Sequence, residues 1–275
     1  MIEHLTRHYP FLKGRSRLAS RLSRHFPIRD GTTVVIKSDL AMELRSNDTV
    51  SQQLYWFGGF ELPEVEVLTR TLRPGLTAFD IGAHIGTHTL IMARRVGPEG
   101  RVFAFEPETV NCSLLRRNVH RNQFDDRVTI TQAAVSDREG TANLVLERGS
   151  GNWLEVAPQE EHAVESIPCT TVDAFVECHH IRRVDLIKTD TEGAEALVLR
   201  GAAATLARFR PALLVEFAAR YLRRYGMSSE ELLALIRHQG YSAFRLRRTG
   251  LQPLSENHDI TDTNLAFFAA DRSPM

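Results

Sequence analysis

Cysteine is scarce in this chain of 275 residues: there are three, Cys112, Cys169 and Cys178. An odd, widely spaced set argues against a disulfide framework, and without a CxxC pair a zinc ribbon has no ligands. Cys178-His179-His180 is not read as a metal centre. Adjacent residues on a helix point apart, and no second ligand cluster stands nearby. Net charge is also lacking, since 34 Lys+Arg balance 34 Asp+Glu. Such a chain has no global field to steer it toward nucleic acid, and no nucleic-acid partner is expected. No run of ~18 apolar residues is present, so no transmembrane segment is expected. The start lacks the apolar core of a secretory leader. A cytoplasmic enzyme is the resulting expectation.

What is present is an ordinary apolar fraction of 43%, enough for a large core. Residues 1–50 read as a basic helical arm followed by short strands, and residues 51–275 as one domain. In the arm, Arg7, Lys13, Arg15, Arg17, Arg21, Arg24 and Arg29 oppose only Glu3 and Asp30. Leu5, Leu12, Leu18, Leu22 and Phe26 fall near one helical stripe. A helix covering the domain is the plainer reading, and a weak contact of residues 1–30 with an anionic surface is the other. Beyond residue 77 the pattern alternates. Strands at 78–81, 102–105, 128–134, 184–189 and 212–217 are separated by helices at 87–96, 112–121, 171–177 and 194–207. Extra strands at 142–147 and 165–169 form an insertion after the third core strand. The expected fold is α/β, a doubly wound parallel sheet with an N-terminal α/β extension. Ligands in such sheets bind beyond the carboxyl ends of the strands.

The first strand runs into Asp80-Ile81-Gly82-Ala83-His84-Ile85-Gly86. A dinucleotide fingerprint requires G-x-G-x-x-G, but His84 and Thr87 occupy the second and third glycine positions. A carboxylate two residues before the turn repels pyrophosphate and attracts an ammonium. That charge pattern favours S-adenosylmethionine over NAD, with Asp80 as a helix cap the plainer alternative. The second strand ends in Glu106-Pro107, where an acid accepts hydrogen bonds from a ribose diol. At the third strand end Ala133 and Ala134 are small enough for a flat ring, and Ser136 or Asp137 is within reach of an adenine amine. At the fourth, Lys188, Asp190 and Glu192 share a face if the chain stays extended. A lysine in a buried strand needs carboxylate partners, and Glu216 at the neighbouring strand end is placed to join them.

Together these stretches resemble the FkbM family of S-adenosylmethionine-dependent methyltransferases. The likeness lies in 79–89 (FDIGAHIGTHT), 102–107 (VFAFEP), 133–140 (AAVSDREG) and 185–201 (DLIKTDTEGAEALVLRG). It extends to 58–61 (GGFE) and to Asn118 and Asn122. The resemblance implies a Rossmann-like class I methyltransferase sheet. It implies O-methylation of a hydroxyl on a sugar, polysaccharide, lipid or natural product, the acceptor being a small molecule or glycan. By the same resemblance Asp80, Gly82 and Gly86 hold the methionine end, and Ala83, His84 and Thr87 of the same turn are candidate cofactor contacts. Glu106 and Pro107 hold the ribose, Ala133 and Ala134 the adenine, and Glu61 adds a contact. Asp190 belongs to both cofactor and reaction sites, and Glu192, Asp190 and His84 are the candidate bases. His84 stands where the family commonly has Asn, and Thr189-Asp190-Thr191 is more polar than usual. No metal ligands are assigned, although a carboxylate pair holding a divalent cation stays open. The rivals are an NAD-dependent oxidoreductase or epimerase and a non-catalytic adenosine-binding module. The absence of an Asn/Asp-Pro-Pro-aromatic motif counts against amino-group methylation.

Overall fold

A computed structural model describes residues 14–36, 39–146, 152–155, 164–247, 250–255, 260 and 263–270. The chain opens with α1 (Arg15–His25), the hairpin β1 (Thr33–Ile36) and β2 (Leu40–Glu43), then α2 (Thr49–Phe57) and α3 (Leu62–Thr71). The alternating region follows: β3 (Thr77–Ile81), α4 (Thr87–Val96), β4 (Arg101–Phe105), α5 (Thr109–Arg121) and β5 (Val128–Thr131). An insertion holds β6 (Ala134–Val135), β7 (Gly140–Val145), β8 (Trp153–Leu154) and β9 (Val164–Thr170). Next come α6 (Val172–Cys178), β10 (Leu186–Thr189), α7 (Glu195–Arg200), α8 (Ala203–Phe209) and β11 (Ala212–Phe217). The last elements are α9 (Ala219–Leu222), α10 (Ser229–His238), β12 (Tyr241–Arg247), β13 (Gly250–Pro253) and β14 (Thr263–Ala269).

The main sheet has the order β13-β12-β14-β11-β10-β3-β4-β5. β3, β4, β5, β10 and β11 pair in parallel, while β14 runs antiparallel between β11 and β12. The chain winds outward from β3 to β5, then returns to β10 on the other side of β3. The switch point therefore lies between β3 and β10, where a crevice opens at the carboxyl ends. Every residue of β3 and β10 is buried, as helices on both faces require. The hairpin is part of the same core: Val34, Ile36, Leu40 and Met42 join one apolar cluster with Leu90, Val102 and Leu115. Among the described residues, no helix is long and apolar enough to cross a membrane.

Three local expectations change. The strand expected over 128–134 splits, because Ala134 and Val135 leave the main sheet to pair with β9. The helix expected over 194–207 breaks at Gly201, where a Cβ would meet the Ser136 carbonyl oxygen at 2.1 Å. Asp173 then caps the second piece from another helix, its carboxylate accepting from Ala204 N at 2.9 Å and Thr205 N at 2.8 Å. In α1 the phase differs from the expected stripe. Ala19 and Ser23 are buried, whereas Leu18 and Phe26 are exposed. The reason lies in α2: Trp56 Nε1 donates to Ser23 Oγ at 2.9 Å, and Trp56 and Phe57 close over Ala19. Leu5 and Leu12 lie outside the described residues.

Candidate active site

A cavity opens where the ends of β3, β4 and β10 meet the insertion and α2–α3. It holds about 1090 Å³ of space, counting its open mouth.

Its floor is organised by Lys188. The register sets Lys188 beside Asp80 on neighbouring parallel strands. Lys188 Nζ stands 3.4 Å from Asp80 Oδ1 and 3.4 Å from Asp190 Oδ2, and donates to the Gly82 carbonyl at 3.2 Å. Burial works against its charge, but Asp190 and Asp80 outweigh that and hold its pKa above the ordinary lysine value. Asp80 is wholly buried, and its Oδ2 accepts from Thr89 Oγ1 at 2.5 Å. Asp80 thus ties the first strand to α4 and to Lys188.

The glycine turn is tightly packed. A Cβ on Gly82, whose φ is +76°, would meet the Asp190 carbonyl oxygen at 1.9 Å. Glycine here lets β3 and β10 close on each other. Its amides are also used internally. Gly82 N and Ala83 N donate to the Phe105 carbonyl at 3.0 and 2.9 Å, and Gly86 N to Ala83 at 2.9 Å. His84 N donates to Glu106 Oε2 at 2.8 Å, and Glu108 N to Glu106 Oε1 at 3.0 Å. Burial raises the Glu106 pKa, while the neighbouring His84 pulls the other way.

His84 Nε2 lies 3.3 Å from Asp48 Oδ1. Burial opposes the imidazolium, yet Asp48 prevails and holds the His84 pKa above its ordinary value. Asp48 also caps α2, accepting from Ser51 N at 2.6 Å. His88, the second residue of α4, behaves oppositely. Burial and then Lys188 push its pKa down to about 4, and its Nε2 stands 3.7 Å from Glu61 Oε2.

The opposite wall is acidic. Glu61 and Glu216 are pushed well above the usual carboxylate range, first by burial and then by neighbouring acids. Burial and Asp190 push Glu192 up to about 8. Glu61, Glu192 and Glu216 each carry a buried Oε2 without a hydrogen-bond partner among the described residues. Glu61, His84 and Glu192 are non-glycine residues with positive φ, at 43°, 51° and 54°. Such conformations cost free energy and cluster where a fold holds groups in place for chemistry.

Of the residues expected to bind cofactor, Glu61, Gly82, Ala83, His84, Thr87 and Glu106 line this cavity. So do Pro107, Ala133, Ala134 and Asp190, with Glu192 beside them. Asp80 and Gly86 do not. Asp80 sits behind Lys188, and Gly86 is the N-cap of α4. Ser136 and Asp137 also lie off the wall, the Ser136 hydroxyl donating to Asp137 at 3.3 Å. The extended alternation expected through Glu192 stops at Thr189, yet the turn that follows still delivers Glu192 to the cavity. Sequence reasoning missed Asn111, His88 and Glu195. Glu195 Oε1 accepts from Thr191 N at 2.8 Å, Thr191 Oγ1 at 3.0 Å and Gly193 N at 3.3 Å, which shapes that turn. Its signal was an acid in the first turn of a helix beside a Thr-Glu-Gly stretch. Trp153 lines the mouth, while residues 149–151 of the expected Gly/Ser turn lie outside the described residues. Among the described residues, no group of three or more His, Cys, Asp or Glu is arranged to hold a metal ion.

A doubly wound sheet with one antiparallel strand inserted beside the fifth core strand defines a Rossmann-like fold of the class I methyltransferase type. The chain belongs to the methyltransferase FkbM domain family, which matches residues 80–243, well over half of its length. Methyltransferase 1 of Beauveria bassiana (strain ARSEF 2860) is 28% identical over 141 residues, covering 44% of this chain and 56% of that one. Methyltransferase sdnD of Sordaria araneosa is 30% identical over 152 residues, covering 44% and 58%. The 31-O-demethyl-FK506 methyltransferase FkbM of Streptomyces tacrolimicus is 41% identical over 75 residues, covering 27% and 28%. The chain thus matches little more than half the length of the first two. The crystal structure of a methyltransferase FkbM from Methylobacillus flagellatus KT superposes at a TM-score of 0.47 with 18% identity. It covers 80% of this chain and 53% of that one.

Proposed function

We propose that this chain transfers a methyl group from S-adenosylmethionine to a hydroxyl oxygen of a sugar, polysaccharide, lipid or natural product. Charge on the cavity wall is the observation that carries the reading. Among the described residues five carboxylates, Glu61, Glu106, Asp190, Glu192 and Glu216, share the wall with one ammonium, that of Lys188. A ligand bearing an ammonium and a sulfonium offsets the burial of those acids. A pyrophosphate finds the reverse, since the amides of Gly82, Ala83, His84 and Gly86 are already engaged. The orphaned, buried Oε2 atoms of Glu61, Glu192 and Glu216 are consistent with such a cationic ligand.

In this reading Glu106 receives the ribose hydroxyls, and Ala133 and Ala134 leave room for the purine. Of residues 1–50, Val50 lines the cavity and Asp48 stands beside His84. When bound, the cofactor supplies an electrophilic methyl carbon. Methyl transfer to the acceptor oxygen would leave the carbon–sulfur electron pair on sulfur and the hydroxyl proton for a residue of this chain to accept. Among the candidate bases Glu192 is favoured to take the hydroxyl proton. Asp190 is held by Lys188, and His84 is biased toward the charged form by Asp48. A base whose pKa is pushed up to about 8 is matched to work near neutral pH. The name of the Streptomyces relative, which describes an O-demethylated acceptor, supports oxygen as the site of methylation.

The test is isothermal calorimetry with S-adenosylmethionine, S-adenosylhomocysteine and NAD. Binding of the first two and silence with NAD is the expected result, and tight NAD binding with neither sulfur ligand overturns the reading.

A further inference from the structure

Asn111 sits in the first turn of α5, buried, and forms part of the cavity wall beside Glu106 and Pro107. Two contacts hold it. Its backbone N–H donates to Glu108 Oε2 at 3.2 Å. Its side-chain Oδ1 accepts from Arg45 Nη1 at 2.9 Å. The same guanidinium nitrogen donates to Glu108 Oε1 and Oε2 at 3.1 and 3.0 Å. Arg45, Glu108 and Asn111 therefore close a triangle between the segment after β2 and the start of α5.

The triangle decides which end of the Asn111 amide faces where. A guanidinium carries donors and no acceptor, so the amide atom turned toward Arg45 must be the oxygen. The –NH₂ group is left on the other terminus, and among the described residues it has no hydrogen-bond partner. Its surroundings suit a flat heteroaromatic ring. Ala133 and Ala134 are small and buried, and Glu106 at the β4 end fixes where a ribose would lie. Adenine presents ring nitrogens N1, N3 and N7 as acceptors, the complement of an amide donor.

We infer that Asn111 is a specificity-determining residue that donates from Nδ2 to a purine ring nitrogen, with Arg45 and Glu108 as positioning residues that fix the amide's orientation. The inference rests on the methyltransferase reading and names the group that reads the adenine. Aspartate at this position would present an acceptor to an acceptor. Removing Arg45 would free the amide to turn.

The experiment is calorimetry of the wild-type chain, Asn111→Ala, Asn111→Asp and Arg45→Met. The ligands are S-adenosylhomocysteine and its 1-deaza, 3-deaza and 7-deaza analogues. Asn111→Ala is expected to weaken S-adenosylhomocysteine about fivefold to tenfold, the scale of one neutral hydrogen bond, and Asn111→Asp more. One deaza analogue should lose a similar factor on the wild type and lose nothing further on Asn111→Ala. Arg45→Met should raise KM for the cofactor while leaving kcat at saturation in place, which a general loss of fold would not do. If all three deaza analogues bind the wild type as well as the parent, or Asn111→Ala binds it unchanged, the inference is overturned and the methyltransferase reading stands. If the wild type ignores S-adenosylhomocysteine altogether, that reading falls and takes the inference with it.

Discussion

At one end of the cavity Glu106 commits both oxygens to backbone amides, accepting from His84 N at 2.8 Å and Glu108 N at 3.0 Å. At the other end Glu61, Glu192 and Glu216 each keep an Oε2 that is buried without a hydrogen-bond partner among the described residues. Both ends are acidic, yet they are built differently. Backbone donors lie at fixed positions, so Glu106 is oriented by the fold before any ligand arrives. The three opposite acids are held by burial and mutual repulsion, which favour the protonated form. A preorganised acid suits binding, and an acid with a high pKa suits proton transfer.

That contrast can be broken at four points, in descending order of effect. Lys188→Met leaves the wholly buried Asp80 without its cation and facing Asp190, and should cost about 3–5 kcal/mol of stability. Chemical denaturation reads it, and a loss under ~1 kcal/mol would mean the lysine does not hold the two ends together. Glu192→Gln should slow turnover about 100-fold while changing S-adenosylhomocysteine affinity less than about threefold. Turnover at the wild-type level removes Glu192 from catalysis. With Glu192 acting as base, kcat/KM should also climb as pH rises toward about 8. Glu106→Gln should do the opposite, weakening the adenosyl ligand about tenfold with little change in kcat, as expected for loss of a charged acceptor. Equal damage to kcat would collapse the distinction between the two ends.

The smallest effect is on stability. Glu192, pushed up to about 8, and Glu195, pushed up to about 7, keep protons in the folded protein that the unfolded chain releases near 4.5. Each therefore favours the fold at low pH and loses that contribution as pH rises through its folded value. His88, pushed down to about 4, acts in the other direction, but only below its ordinary value of 6.5. Between pH 6.5 and 8 the melting temperature of the ligand-free protein should fall. Glu192→Gln should flatten that slope. A melting temperature that rises across the window would contradict the arrangement.

Much of the fold was legible because its signals are local. α4 spans the helix expected over 87–96, and β11 the strand expected over 212–217. What stayed hidden depends on tertiary partners. Residues 194–207 read as one helix, since nothing local announces that the Ser136 carbonyl fills the space beside Gly201. Asp80 was expected to face a ligand because it precedes the glycine turn. Its direction is set instead by Lys188 and Thr89, which are distant in sequence or one turn into the next helix. His84 was noticed as a departure, but its partner Asp48 lies outside the stretches that carry the resemblance. Asn111 gave no signal, because its importance comes from which atom Arg45 turns away.

The hairpin shows how an exposed strand edge can be quenched without another strand. Asn122 exchanges two hydrogen bonds with Ala41, at 2.9 and 2.7 Å, and Asn118 two with Glu43, at 2.7 and 3.2 Å. Residues four apart on α5 thus imitate a ladder against residues two apart on β2. An edge occupied by carboxamides is closed to pairing with a second molecule. Because Asn118 also donates to the Ile85 carbonyl at 2.9 Å, peeling the hairpin away would loosen the glycine turn as well. Amide hydrogens of β2 and of that turn should accordingly exchange with solvent in a single opening event.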